Sequence, residues 1–216
     1  MTDATSAAGG PAPGDALGRG DLLHEVDHRV KNNLQLIASL ILLQCRQTKD
    51  EAAAAALKSV LERVNAVAAV HRRLFQGDPL SFDVADFMRD LTGDLAAAAR
   101  RDDIEITLAL DEIFLPSASA APFALVANEI LGNALKHAFP PGRGGRIGIS
   151  LADRGDSCLL TIADDGVGLE GPPTGFGSTI VRLLCRQLHA EFAIDGSAGG
   201  TKVTLILPLA RAPGQA

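Results

Sequence analysis

The chain has 216 residues, 47% hydrophobic and 21% charged, with a formal net charge of −6. That suits one large or two small globular domains and gives no electrostatic reason to expect nucleic acid or an anionic membrane as partner. Its three cysteines are scattered without metal-ligand spacing, no apolar run approaches the roughly 18 residues of a membrane span, and no basic start with an apolar core opens the chain; the expectation is a cytoplasmic protein in a reducing compartment.

Residues 1–20 are small and Gly/Pro-rich, with too little apolar surface to offset ordering entropy, so the reading is a disordered tail. From about Asp21 to Gln47, Leu23, Val26, Val30, Leu34, Ile37 and Ile41 fall in one stripe at helical spacing. A break follows at Thr48-Lys49-Asp50, and Thr48 with Glu51 has capping-box spacing for a second helix. Leu57, Leu61, Val64, Ala68 and Phe75 form the apolar face of that helix. The pair, residues 21–76, reads as an antiparallel hairpin. Leu36, Leu42 and Leu43 lie off the first stripe, and a second copy forming a four-helix bundle would cover them.

Gln76–Pro79 is a turn-rich linker, after which residues 80–210 read as mixed α/β. Expected elements are a helix from Val84 to about Ala99, a strand from Ile104 to Leu110, and a helix from Pro122 to Phe139 with proline in its first turn. Two paired strands, Arg146–Ala152 and Ser157–Ala163, a helix over Thr179–Leu188 and a last strand over Thr201–Pro208 complete the reading.

On the first helix His28 points away from the core stripe, among His24, Glu25, Asn32, Gln35 and Ser39. A surface histidine is ordinarily inert, but a phosphoacceptor imidazole must be accessible with one nitrogen unprotonated, which an ordinary histidine supplies near neutral pH. The run His28-Arg29-Val30-Lys31-Asn32-Asn33-Leu34-Gln35 resembles the phosphoacceptor helix of the HRxxN/HWE-type sensor histidine kinases. Ser39-Leu40, Leu43-Gln44, Arg63-Val64 and Val70–Leu74 extend the resemblance. It implies that His28 takes the γ-phosphoryl of ATP and passes it to an aspartate on a response-regulator receiver domain, with Asn32 orienting groups around the phosphoryl centre. His24 is a rival acceptor, and His71 is expected to pack at the base of the hairpin.

Three separated motifs follow. Asn128-Glu129-Ile130-Leu131-Gly132-Asn133-Ala134-Leu135-Lys136-His137 places Glu129, Asn133, Lys136 and His137 on one helix face. Asn133 offers a neutral oxygen suited to Mg²⁺ and Lys136 a point charge suited to phosphate. Asp164-Asp165-Gly166-Val167-Gly168 follows an apolar strand, where glycine lets backbone approach a ligand and a carboxylate can accept an amino hydrogen bond. Gly175-Phe176-Gly177-Ser178 opens a helix, a common way to meet phosphate with backbone N–H groups.

In this order the motifs resemble the N, G1 and G2 boxes of the GHKL, or Bergerat-type, ATPase/kinase fold. The resemblance implies an α/β sandwich that binds ATP and Mg²⁺. Asp164 would read the adenine amino group, Thr201 would support the adenine, Asn133 would hold Mg²⁺, and Lys136 and Gly177 would contact the phosphates. Glu129, His137, Gly166, Gly168 and Gly175 complete the expected nucleotide set. Glu129 stands where the commonest N box has its first Asn, and only Leu169–Thr174 separates Gly168 from Gly175. The whole reading is a homodimeric histidine kinase without a sensor domain of its own, regulated through its receiver or a separate sensory protein. A phosphotransfer adapter with a scaffold-only nucleotide domain, a GHKL serine kinase and a nucleotide-gated interaction module are the alternatives.

Overall fold

The computed structural model describes residues 15–76, 81–169, 171 and 176–209, and among these the side chains outside 15–28, 70–76 and 176. Helices α1 (Asp15–Gln47) and α2 (Glu51–Gln76) form the hairpin. The first helix begins inside the segment read as tail: once a turn is nucleated, each further residue adds a hydrogen bond, so Gly18 and Gly20 do not stop it. Val30, Leu34, Ala38, Ile41 and Cys45 are its partly covered positions, while Ile37, expected in the stripe, is 44% exposed. The turn also uses different chemistry from the capping box expected at Thr48. Thr48 Oγ1 donates back to the Gln44 carbonyl at 2.8 Å, and Asp50 caps α2 by accepting the Ala53 N–H at 2.7 Å. A carboxylate beside unpaired N–H groups is the stronger cap, and the hydroxyl is left to add a second hydrogen bond to the Gln44 carbonyl, which already accepts the Thr48 N–H at 3.0 Å.

The second part runs β1 (Ser81–Asp83), α3 (Val84–Ala99), β2 (Ile104–Leu110), β3 (Phe114–Pro116) and α4 (Ser117–His137). It continues through β4 (Gly145–Asp153), β5 (Ser157–Asp164), α5 (Phe176–Gln187), β6 (Glu191–Ser197) and β7 (Gly200–Pro208). Asp83 caps α3, its Oδ1 accepting the Asp86 N–H at 2.9 Å. The main sheet has the order β2-β4-β5-β7-β6, with β2 parallel to β4 and the other pairs antiparallel. Strands β1 and β3 make a separate two-stranded ribbon.

Alternation sets the core. Ile147, Ile149 and Leu151 of β4, Cys158, Leu160 and Ile162 of β5, and Leu205 and Leu207 of β7 all turn to one face. That face joins Phe87 and Met88 of α3, Phe123 and Leu131 of α4, and Val181 and Cys185 of α5 in a single apolar cluster. The chain is thus a helical hairpin followed by an α/β sandwich.

Three differences from the expected elements have physical causes. Helix α4 begins at Ser117, so Pro122 lies inside it rather than in its first turn. The preceding Ser-Ala-Ser-Ala-Ala carries no large apolar side chain to signal a helix. Strand β6 is not among the expected elements, because Phe192 and Ile194 are its only large apolar residues. The ribbon strands β1 and β3 are three residues each, too short for a period to register.

Candidate functional site

Helix α4 is the axis of the site. At about 100° per residue, Asn133 and His137 lie roughly 40° and 80° round from Glu129, while Lys136 lies roughly 20° to the other side. The four residues that read as one face therefore straddle a seam. Asn133 and His137 line a cleft of about 350 Å³ between α4, α5 and the sheet, whereas Glu129 and Lys136 turn to α2.

The cleft floor comes from β5 and β7. Asp164 ends β5, and its Oδ1 accepts the backbone N–H of Gly166 at 3.0 Å and of Thr201 at 3.1 Å. Two donors from different segments fix the carboxylate's direction. Ile162, Val203, Ile130, Ala134 and Val181 give the cleft apolar walls, and Gly168, Leu169 and Ser178 lie at its edge. Gly168 has φ +76 and lies against the Ser197 carbonyl, so a side chain there would be both strained and obstructed. Asp165 is structural: its Oδ1 accepts the Arg146 N–H at 2.7 Å and ties the loop to β4. A cleft with aliphatic walls and a fixed carboxylate on its floor can take a heteroaromatic ring bearing an amino donor.

Of the expected nucleotide residues, Asn133, His137, Asp164, Gly168 and Thr201 meet at this cleft. Gly166 packs beneath it against the Ala138 carbonyl, and Gly177 sits beside the Glu129 carboxylate. Gly175 lies outside the described residues. The ion pairs of Glu129 with Arg63 and of Lys136 with Glu62 were not expected from sequence. A contact between segments more than 60 residues apart leaves no local pattern in the sequence.

His28 and Asn32 lie one turn apart on α1, and Asn32 is exposed. The side chains of His24, His28 and His71 lie outside the described residues. A larger, more open groove of about 610 Å³ continues past Leu169 and Phe192 along α5 to Arg182 and Arg186. It lacks the fixed carboxylate and the Asn, so the smaller cleft is the better candidate for a ligand that must be read by its edge. Burial pushes the thiols of Cys158 and Cys185 up to about 11, so both stay protonated at neutral pH. Among the described residues there is no cluster of His, Cys, Asp and Glu able to hold a metal, and no helix is long and apolar enough to cross a membrane. A lone Asn133 oxygen matches Mg²⁺, which takes few protein ligands and completes its octahedron with phosphate oxygens and water.

Residues 25–99 match the family model described as histidine kinase, and residues 119–211 the one described as histidine kinase-, DNA gyrase B- and HSP90-like ATPase. The chain is 34% identical over 208 residues to the sensor histidine kinase PdtaS of Mycobacterium tuberculosis, covering 88% of this chain and 40% of that protein. It is 30% identical over 200 residues to the blue-light-activated histidine kinase 2 of Erythrobacter litoralis, covering 88% of this chain and 57% of that one. The chain therefore spans about half the length of the curated relatives it matches. Among solved structures, the histidine kinase domain of the Erythrobacter litoralis EL346 blue-light-activated histidine kinase aligns with a TM-score of 0.65 at 27% identity, over 87% of this chain and 93% of that one.

Proposed function

We propose, for a chain that belongs to the HWE-type sensor histidine kinases, that it phosphorylates its own His28 from ATP and hands the phosphoryl group to a receiver-domain aspartate. The observation that carries this is the convergence of Asn133, His137, Asp164, Gly168 and Thr201 on one apolar cleft whose long helix, α4, is docked by the hairpin bearing His28. Asp164 would accept from the adenine amino group, and Thr201 would sit beside it. Asn133 would hold Mg²⁺, which neutralises charge on the phosphates, and α5 would present its N-terminal N–H groups to them.

In the first step an imidazole nitrogen of His28 attacks the γ-phosphorus. The P–O bond to the β-phosphate breaks, ADP leaves and a P–N bond forms. In the second, a carboxylate oxygen of the receiver attacks the same phosphorus and the P–N bond breaks. Asn32, one turn from His28 along α1, would reach a group bonded to that imidazole. A second copy of the chain would cover the exposed Leu36, Leu40 and Leu43 of α1.

The test is incubation with γ-labelled ATP and Mg²⁺. Label should be acid-labile and base-stable, should disappear in His28→Gln and should persist in His24→Gln. The reverse pattern moves the acceptor to His24. Acid-stable label in both variants favours the serine-kinase alternative.

A further inference from the structure

Two adjacent residues of α2 hold two residues of α4. Arg63 Nε lies 2.8 Å from Glu129 Oε1 and Nη2 donates to Oε2 at 2.9 Å, with the side chains 12% and 10% exposed. Lys136 Nζ donates to Glu62 Oε2 at 2.6 Å, with side chains 53% and 35% exposed. The Glu129 carboxylate also faces the start of α5: a Cβ on Gly177 would stand 2.6 Å from Oε2 and 3.7 Å from Arg63 Nη2. Ser178, the next residue, lines the cleft. One carboxylate thus touches the hairpin on one side and the N-terminus of α5 on the other.

We propose that Arg63 is a positioning residue of the nucleotide site: by neutralising Glu129 it makes docking of the hairpin on α4 and binding of the nucleotide phosphates strengthen one another. This rests on the nucleotide reading of the cleft. Glu129 lies one turn before Asn133, so their Cα atoms are separated along the axis by about 6 Å, inside the screening length of roughly 8 Å at physiological salt. Without Arg63 the carboxylate is a nearly buried anion beside the place where a triphosphate must sit. It then repels the phosphates. With Arg63 in place the pair is neutral and the carboxylate is turned aside.

The second pair acts in the opposite direction, since Glu62 occupies an ammonium that phosphate could otherwise use. Magnitudes decide between them. An exposed pair shifts an equilibrium by about fivefold at most. Leaving one member of a buried pair uncompensated shifts it by a hundredfold or more. The Arg63–Glu129 contact therefore sets the sign, and Glu62–Lys136 trims it. By reciprocity, whatever factor docking adds to nucleotide affinity, nucleotide adds to docking.

The experiment is a titration of the full chain with Mg²⁺ and a non-hydrolysable ATP analogue, with hydrogen exchange followed along α2. Arg63→Gln should weaken binding about tenfold or more, and Arg63→Lys less. The double variant Arg63→Gln/Glu129→Gln should bind at least about threefold more tightly than Arg63→Gln alone, although its ion pair is also gone. Glu62→Gln should tighten binding by less than about fivefold. In the parent, nucleotide should slow amide exchange around residues 60–66. A folded Arg63→Gln protein that binds like the parent overturns the proposal, as does a double variant no better than the single one. A purely structural Arg63 predicts that last result. Should Arg63→Gln fail to fold, exchange in the parent decides: nucleotide that binds without slowing α2 overturns the coupling. A parent that does not bind the analogue removes the nucleotide reading itself, and the proposal with it.

Discussion

Among the described side chains of the hairpin only Ala66 is buried, and Leu36, Leu40 and Leu43 of α1 are 62%, 58% and 54% exposed. The sandwich, by contrast, seals Met88, Phe123, Phe139, Leu160 and Leu205 from solvent. A sheet with one apolar face and helices laid over it closes a core within one chain. A two-helix hairpin cannot: α2 lies against both α1 and α4, but α1 packs mainly on α2 and leaves its outer leucines exposed. The difference teaches where each half gets its stability: the sandwich from itself, the hairpin from α4 and from whatever covers its outer leucines. It also fits the proposed division of labour, in which a preorganised cleft binds nucleotide and the histidine-bearing arm would meet two different partners.

The comparison breaks most visibly at the centre of the sandwich. Phe123 is fully buried, 6.3 Å from Phe82 and 6.2 Å from Phe87 ring to ring, in edge-on arrangements. Phe123→Ala removes that three-ring contact and leaves a cavity, so denaturant unfolding should show a loss of about 3–5 kcal/mol. A loss below about 1 kcal/mol would mean that the core repacks and is no firmer than the hairpin.

The hairpin should respond in the opposite way. Replacing Leu36, Leu40 and Leu43 together by Ser should leave the unfolding of the sandwich unchanged within about 1 kcal/mol, because these side chains are not part of its core. Sedimentation should instead report loss of a dimer, since each leucine fully covered by a partner is worth about 1.5–3 kcal/mol. A parent that sediments as a monomer at every concentration would remove the second copy and leave those leucines to a different protein.

What could be seen in the sequence divides along the same line. Asp164 and Gly168 were legible as a carboxylate closing an apolar strand and a glycine just beyond it, and Thr201 through the family resemblance; all three line the cleft. The exposed Leu36 and Leu43 could be recognised by their distance from the helical stripe. The contact of Glu129 with Arg63 could not. A rotation of about 40° between positions four apart takes Glu129 from the cleft to the hairpin. Whether that matters depends on α2 lying alongside, which is a tertiary fact with no local signature. Strand β6 escaped for a related reason: Phe192 and Ile194 gain their meaning from pairing with β7, not from their own run.

The smallest effect to test, and the one that sharpens the comparison most, concerns two equivalent caps. Asp83 Oδ1 accepts the Asp86 N–H at 2.9 Å at the start of α3, and Asp50 Oδ1 accepts the Ala53 N–H at 2.7 Å at the start of α2. As local chemistry the two are interchangeable, and removing such a cap costs about 1 kcal/mol. Their surroundings differ. Helix α3 starts with Val84, Ala85, Phe87 and Met88 buried in the core, so fraying its first turn opens the sandwich. Asp83→Ala should therefore appear almost in full in global unfolding. The first turn of α2 is exposed through Ala53 and can fray without uncovering any core. Asp50→Ala should leave the global midpoint nearly unchanged and instead quicken amide exchange several-fold over residues 51–56. Equal shifts of the global midpoint in the two variants would show that hairpin and sandwich unfold as one cooperative unit, joined through the Arg63–Glu129 contact more tightly than their separate cores suggest.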